Sequence, residues 1–357
     1  MGGGGQPADG TPPPPSPPPA GPEGLDPDER RHQRRGAAGG GWAGRRRRAP
    51  GQRPPRGGVH CATQSHPALA RCSGVDCTFE GCRTLASFDL SASGRLSALG
   101  RASFRGCDAL SAGDLSGCGA LVAIGEAAFS GCSALVTLRL AGCAALQAIH
   151  RDAFRGCRAL AALDLSACVR LEVIGPAAFR FSALRTLALA RCTHLAAIGE
   201  FAFHDCVALA LVDLSGCARL GGIGRAAFRG CASLARVDVS GCVRLERIAA
   251  DAFRGCAALV AIDLSSCARL ADLGQSAFHG CAALVHVDLT SCAALAVIGE
   301  SAFHDCAALS ELRLAGCAAL GCVRRGAFSG CGALEGTGPR GRAADARSGA
   351  PGVPLIA

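Results

Sequence analysis

The sequence predicts an α/β-type repeat solenoid, a fold in which copies of one short motif stack as successive rungs. Phenylalanine recurs at one motif position, and nine of the ten spacings are 25 residues while the tenth is 24. Between the phenylalanines one apolar pattern recurs in ten copies, and an eleventh breaks off after Leu334. These core phenylalanines are Phe79, Phe104, Phe129, Phe154, Phe179, Phe203, Phe228, Phe253, Phe278, Phe303 and Phe328.

The copy from Leu160 to Phe179 shows how one rung is expected to fold. Leu163 and Leu165 lie two residues apart, which is the period of a strand with one buried face. From Leu165 to Ile174 the apolar residues recur every third position, which suits a tight coil with one inward residue at each corner. Phe179 would fill the back of the coil. One coil cannot bury these side chains alone, whereas stacked coils pack each on its equivalent.

The pattern L-x-x-L-x-L-x-x-C resembles the leucine-rich repeat, with Cys where Asn is more usual. The half that follows, I-G-x-x-A-F-x-G-C, resembles the BspA-type repeats. The resemblance covers roughly residues 77–334. It implies a curved, right-handed superhelix of about ten to eleven rungs of 25 residues, with a parallel β-sheet on the concave side. It also implies a protein that binds other proteins or surfaces.

Composition divides the chain into three parts. Residues 1–60 are rich in Gly, Pro and then Arg, lack the apolar residues of a core, and are predicted to be a disordered leader. Residues 61–336 are predicted to form the solenoid, of which 61–78 would be an irregular N-terminal cap. Residues 337–357 are predicted to be a disordered tail.

Charge and hydropathy restrict the classes of partner. Residues 1–60 carry ten Arg against five acids, whereas 61–336 carry 24 against 22. A nucleic-acid-binding domain places its positive charge on the fold, so we expect the folded region to bind no nucleic acid. No apolar run fits a secretory signal or a membrane span, and we expect a cytoplasmic or nuclear protein without membrane contact. The Arg45–Arg48 run could direct nuclear import or contact nucleic acid, or it could belong to a transit-like or solubilising leader.

Of the 23 cysteines, 19 recur in repeat register, and the other four are Cys61, Cys72, Cys77 and Cys322. Because their total is odd and the chain shows no secretory signal, we expect no disulfide framework. We interpret them as small buried residues whose thiols make weak hydrogen bonds to loop backbone. The alternative is a zinc site, although the ligand spacing is not that of a zinc finger. Its ligands would come from Cys61, His66, Cys72, Cys77 and Cys82. No cofactor or metal is therefore predicted.

The tripeptides His204-Asp205-Cys206 and His304-Asp305-Cys306 resemble a hydrolase fragment. Consecutive residues seldom converge as a nucleophile and its base, and other rungs carry Arg-Gly-Cys or Ser-Gly-Cys there. We therefore predict no catalytic residue and interpret these positions as solvent-facing variants of a repeat loop. The residue after each core phenylalanine forms an edge column that could bind anions but is more typical of a solvated face. Its members are Glu80, Arg105, Ser130, Arg155, Arg180, His204, Arg229, Arg254, His279, His304 and Ser329.

The candidate partner-binding site lies on the predicted concave strands. One exposed strand position holds an acid in most rungs, with Ala188 in one of them. Neighbouring strands lie about 5 Å apart, so consecutive carboxylates would repel by roughly 0.8 kcal/mol even in water. Leu-Asp-Leu-Ser is also a common filler of leucine-rich repeats, and that alternative stays open. The residues are Asp89, Asp114, Arg139, Asp164, Asp213, Asp238, Asp263, Asp288 and Arg313.

These observations predict a protein–protein interaction scaffold. Its concave face would bind an unknown protein, for example one with a basic segment. One alternative is a substrate-recognition adaptor of the ubiquitin-ligase type. That function needs a helical F-box of roughly 40 residues before the repeats, which a Pro- and Arg-rich leader would not supply. The other is an enzyme, which is disfavoured because no set of reactive residues departs from the repeat register.

Overall fold

A computed structural model describes residues 74–75 and 79–335 of the chain. The predicted leader, most of the predicted cap and the predicted tail lie outside the described residues. So do the Arg45–Arg48 run and four ligands of the zinc alternative, namely Cys61, His66, Cys72 and Cys77. Within the described part of the chain, no helix has the length and apolar character needed to cross a membrane.

Each rung contributes short strands that pair in parallel with their equivalents in the next rungs. The longer strands have three residues: β2 (Ser87–Asp89), β4 (Ala112–Asp114), β6 (Thr137–Arg139), β9 (Thr186–Ala188), β11 (Leu211–Asp213), β13 (Arg236–Asp238), β15 (Ala261–Asp263), β17 (His286–Asp288) and β19 (Glu311–Arg313). The shorter strands have two: β1 (Gly74–Val75), β3 (Ala98–Leu99), β5 (Ala123–Ile124), β7 (Ala148–Ile149), β8 (Val173–Ile174), β10 (Ala197–Ile198), β12 (Gly222–Ile223), β14 (Arg247–Ile248), β16 (Asp272–Leu273), β18 (Val297–Ile298) and β20 (Cys322–Val323).

The predicted parallel sheet is present but interrupted. The longer strands form a three-stranded sheet, β2-β4-β6, and a six-stranded sheet from β9 to β19. In the rung between them, the equivalent segment, residues 160–165, forms no strand, although Leu163 and Leu165 are still buried. This break lies next to the one rung that is a residue short. Apart from α1 (Gly332–Glu335), the described rungs turn without helix.

The shorter strands form a second, eleven-stranded sheet that the sequence analysis did not predict. In β8, Val173 is exposed and Ile174 is buried, and Ile174 pairs with Ile149 and Ile198 of the neighbouring rungs. A two-residue strand is too short to show an alternating pattern, so the three-residue spacing hid it. The sheet also includes β1, which lies in the predicted irregular cap and pairs with β3.

The core phenylalanines form one continuous stack, as predicted. Phe253 is fully buried, and its ring centroid lies 5.2 Å from those of Phe228 and Phe278. The rings tilt by only 5° and 6° from parallel. The backbone follows the same repeat, because the Phe253 N–H donates to the carbonyl of Ala277 at 2.7 Å. Side chains and backbone therefore both bind one rung to the next.

Left-handed backbone positions flank each core phenylalanine. The position two residues after the phenylalanine is glycine in most rungs, for example Gly255 and Gly280, with φ of 73° and 71°. Asp205 and Asp305 occupy the same position with φ of 56° and 59°. Asp enters this region more readily than most residues with a Cβ, so it can replace glycine here.

In the short rung, Phe181 stands where most other rungs carry Gly-Cys, and the sequence predicts that it turns inward in place of the missing thiol. That prediction is wrong. Phe181 is half-buried and takes the left-handed glycine position, with φ of 61°. The thiol position is taken by Ser182, which is buried at 3% exposure and lies 3.3 Å from the Cys206 sulfur. The phenylalanine instead lies against Arg180, whose guanidinium carbon is 4.6 Å from its ring centroid. Hydrophobicity favours Phe181 for the core position, but the backbone conformation places Ser182 there.

Candidate functional site

The exposed surface of the longer strands carries the predicted acidic residues in register, and we name it the Asp face. Asp213 pairs with Asp238, and Asp263 pairs with Asp288. In the other part of the sheet, Asp89 pairs with Asp114, which pairs in turn with Arg139. The Asp face comprises Asp89, Asp114, Arg139, Asp164, Ala188, Asp213, Asp238, Asp263, Asp288 and Arg313.

One carboxylate oxygen of each acid has a structural role. The backbone N–H of Ser240 donates to Asp238 Oδ1 at 3.1 Å, and its hydroxyl donates to the same oxygen at 2.7 Å. These bonds lower the pKa of Asp238. The equivalent N–H bond to Oδ1 recurs at Asp89, Asp114, Asp164, Asp213, Asp263 and Asp288. The aspartates therefore close the turn after each strand, which explains why Leu-Asp-Leu-Ser recurs.

The other oxygen, Oδ2, lies near an arginine side chain in three of these acids. Arg139 Nη1 lies 3.4 Å from Asp114 Oδ2, and Arg313 Nη1 lies 3.4 Å from Asp288 Oδ2. Arg236 Nη2 lies 3.7 Å from Asp238 Oδ2. A guanidinium can therefore reach this oxygen without disturbing the turn.

Four acids of the Asp face differ from these, namely Asp89, Asp164, Asp213 and Asp263. They make no ion pair with any residue in the described ranges 74–75 and 79–335. At the C-terminal end, by contrast, Arg313 contacts Glu311 Oε1 at 2.6 Å, and His286 Nδ1 lies 3.0 Å from Glu311 Oε2. Within the six-stranded sheet, the unpaired negative charge thus lies on β11 and β15.

The thiols face the core in two columns, as predicted. The S–H of Cys256 donates to the carbonyl of Phe228 at 3.2 Å, and that of Cys242 to the carbonyl of Leu214 at 3.4 Å. Burial raises the pKa of Cys132 and of Cys168 to about 12. Thiolate is the nucleophilic and metal-binding form, so these thiols are structural.

Comparison with known proteins gives the family. The model of the BspA type leucine rich repeat region matches in 6 copies, over residues 75–180, 119–235 and 221–337. This chain belongs to the BspA-type leucine-rich-repeat family. The match confirms the resemblance seen in the repeat motif, and it covers more than half of the sequence.

Solved structures similar to this BspA-type chain are bacterial leucine-rich-repeat proteins. A leucine-rich repeat protein from Bacteroides ovatus is 22% identical, with 67% of this chain and 69% of that chain covered, at a TM-score of 0.45. The T. pallidum leucine rich repeat protein is 26% identical over 56% and 78%, at 0.40. A leucine rich cell surface protein from Faecalibacterium prausnitzii is 19% identical over 73% and 80%, also at 0.40. No protein of curated function matches the sequence at a significant level.

BspA-type repeats and their fold are typically non-enzymatic, and the tripeptide with Cys206 shows why it is a poor nucleophilic site. The Cys206 thiol donates into the core, to the carbonyl of Phe179 at 3.1 Å, and burial raises its pKa to about 11. The prediction of a solvent-facing His204 is wrong. Its side chain is buried beside the rings of Phe181 and Phe201, at centroid distances of 6.1 and 5.5 Å.

The edge column is not uniformly solvated. Arg105 contacts Glu80 at 3.6 Å, and Arg254 contacts Asp251 at 3.2 Å. Farther along, the imidazoles of His279 and His304 stack with centroids 4.8 Å apart and planes 10° from parallel. This pairing was missed in the sequence, where the spacing of one repeat between the two histidines is the signal that they meet.

Proposed function

We propose that the protein is an interaction scaffold whose Asp face binds a basic segment of another protein. The single observation that carries this proposal is that the two oxygens of each carboxylate have different roles. Oδ1 accepts the hydrogen bond that closes the turn, while Oδ2 is the oxygen that a guanidinium approaches in three of the acids. A partner can therefore neutralise the acids without unfolding the strand ends.

Arg139 and Arg313 support the proposal because they act as built-in examples of such a partner. Each comes from the neighbouring strand and lies 3.4 Å from an Asp Oδ2. A basic side chain supplied by another protein would make the same contact with Asp213 or Asp263. The strand pairing that aligns the acids adds repulsion between them, which a bound cation would reduce.

A second exposed position on the same strands gives the Asp face some selectivity. On β11 it is Leu211, at 38% exposure, and on β15 it is Ala261. Side chains two apart on a strand share one face. The acids of β11 and β15 therefore have an apolar or small neighbour on their own strand, while Arg236 of β13 lies between the two strands and contacts Asp238. The best partner therefore places basic side chains at Asp213 and Asp263 and apolar ones at Leu211 and Ala261.

The proposal is tested by affinity capture with two baits, the wild-type chain and Asp213→Asn/Asp263→Asn. Asn keeps an Oδ1 acceptor for the turn and removes the charge. A matched bait, Asp108→Asn/Asp272→Asn, loses the same charge away from the Asp face. Proteins captured by the wild type and the matched bait but lost from the Asp-face variant support the proposal. An identical set from all three contradicts it.

A further inference from the structure

We propose that His279, His304 and Asp305 form a binding site for a divalent transition metal, with Zn²⁺ as the ion that fits the ligands best. One ligand atom from each of the three residues lies within 4.8 Å of the others. The ligands come from two adjacent rungs, so the repeat itself brings them together. The site is separate from the Asp face and from the core thiols.

The imidazole nitrogens supply the strongest reason for a cation here. Nδ1 of His279 and Nδ1 of His304 are both buried atoms without a hydrogen-bond partner among the described residues. Buried polar atoms are rarely left unsatisfied in folded proteins. Neither ring is itself fully enclosed, so an ion from solvent can reach the site.

The carboxylate completes the site. His304 Nδ1 and Asp305 Oδ2 lie 3.0 Å apart, in a geometry that makes no hydrogen bond. With the ring proton on Nε2, these are two acceptor atoms in contact, which repel unless a cation lies between them. Tetrahedral zinc, with bonds of about 2.0–2.2 Å, holds its ligand atoms roughly 3.4 Å apart. The remaining distance to the third ligand has to be closed by movement of the His279 ring, whose χ2 torsion is broad.

Neutral imidazole is the form that binds metal. Arg254 is the neighbour of His279 in the edge column. The Arg254 guanidinium itself contacts Asp251 at 3.2 Å, which offsets part of its repulsion of a cation. Three protein ligands leave one coordination position for water, and imidazole with carboxylate is a common zinc ligand set.

The chain contains its own control at the rung one hundred residues earlier. His204 Nδ1 and Asp205 Oδ2 also lie 3.0 Å apart, and Asp205 also replaces glycine. The neighbours of His204 in the edge column are Arg180 and Arg229, so no second imidazole is present. One site has the three ligands and the other lacks one of them.

The experiment is a calorimetric Zn²⁺ titration of the full-length chain, with thiols reduced and the accessible ones alkylated in the native state. His279→Arg and Asp305→Gly restore residues that other rungs carry at those positions, so both variants should stay folded. The controls are His204→Arg and Asp205→Gly, which make the same changes at the two-ligand site. Thermal unfolding checks that all five proteins are folded.

We expect the wild type and both controls to bind one Zn²⁺ that His279→Arg and Asp305→Gly bind at least about tenfold more weakly. Equal stoichiometry and affinity in the wild type and His279→Arg would overturn the proposal. So would a wild type that binds no Zn²⁺, or a loss of binding in His204→Arg as large as in His279→Arg.

Discussion

The Ser182 hydroxyl lies 3.3 Å from the Cys206 thiol, where every neighbouring rung places a second cysteine. The short rung thus keeps a small polar hydrogen-bonding group at the core position and loses a residue from the loop outside it. Phe181 takes the left-handed position that glycine or aspartate holds in the other rungs, and it packs against Arg180. The core side of the short rung therefore keeps the shape of the other rungs, although its loop is one residue shorter.

Replacing Ser182 tests whether this contact matters. Ser182→Ala removes the hydroxyl that meets the Cys206 sulfur, and it should lower the free energy of unfolding by about 1 kcal/mol. Ser133→Ala, at an exposed loop position, should change it by less than about 0.5 kcal/mol. Equilibrium denaturation of the three proteins measures both effects, and equal stability of all three would contradict the buried role of Ser182.

The phenylalanine stack should dominate core stability. Phe253→Ala removes a fully buried ring from between two others, and it should cost about 3–5 kcal/mol. Phe181→Ala is the matched substitution of a half-buried ring and should cost much less. Thermal unfolding compares the two, and similar midpoints would mean that the stack is not the spine of the core.

The buried thiols should make the protein sensitive to alkaline pH. Burial raises the pKa of Cys217 and of Cys281 to about 12 in the folded state, whereas an unfolded thiol ionises near pH 8.5. Between these values the unfolded chain has lost protons that the folded chain retains. The free energy of unfolding therefore falls as pH rises from about 8.5 to about 12, by up to about 1.4 kcal/mol per unit for each thiol.

The composition limits which side chains can titrate in this pH range. The sequence contains no Lys and no Tyr, and Arg stays protonated, so Cys is the side chain that titrates in this range. Thermal midpoints measured under reducing conditions from pH 8 to 11 should decline steadily. Cys256→Ala removes one buried thiol and should flatten the decline, whereas the exposed Val260→Ala should not. A midpoint independent of pH would contradict the expected ionisation.

Periodicity predicted the features that depend on the core. Leu163, Leu165 and Phe179 were placed correctly because a rung can bury them in only one way. The roles of Phe181 and Ser182 depended instead on which residue takes the left-handed backbone position, and hydropathy does not report that. The position of His204 was mispredicted for a related reason, since the ring of Phe181 in the neighbouring rung and that of Phe201 in its own loop lie against it.

The candidate site was predictable in position but not in chemistry. The repeat register was enough to align Asp213 with Asp238. It could not show that each Asp Oδ1 closes a turn, nor that Arg313 and Arg236 already contact some of the acids. Those contacts depend on side-chain reach, and within the six-stranded sheet they leave Asp213 and Asp263 as the acids without an ion pair.

The most direct test of the Asp face uses a fluorescent octa-arginine peptide and measures its affinity by anisotropy. The comparison includes the wild-type chain, Asp213→Asn/Asp263→Asn and the matched Asp108→Asn/Asp272→Asn, all with Arg45–Arg48 changed to Gln so that the chain's own basic run does not compete. Two exposed ion pairs contribute about 0.2–1 kcal/mol each. The Asp-face variant should therefore bind roughly 2- to 30-fold more weakly than the matched variant, with the difference shrinking as salt rises. Equal affinities of the two variants at low salt would contradict a binding role for the Asp face.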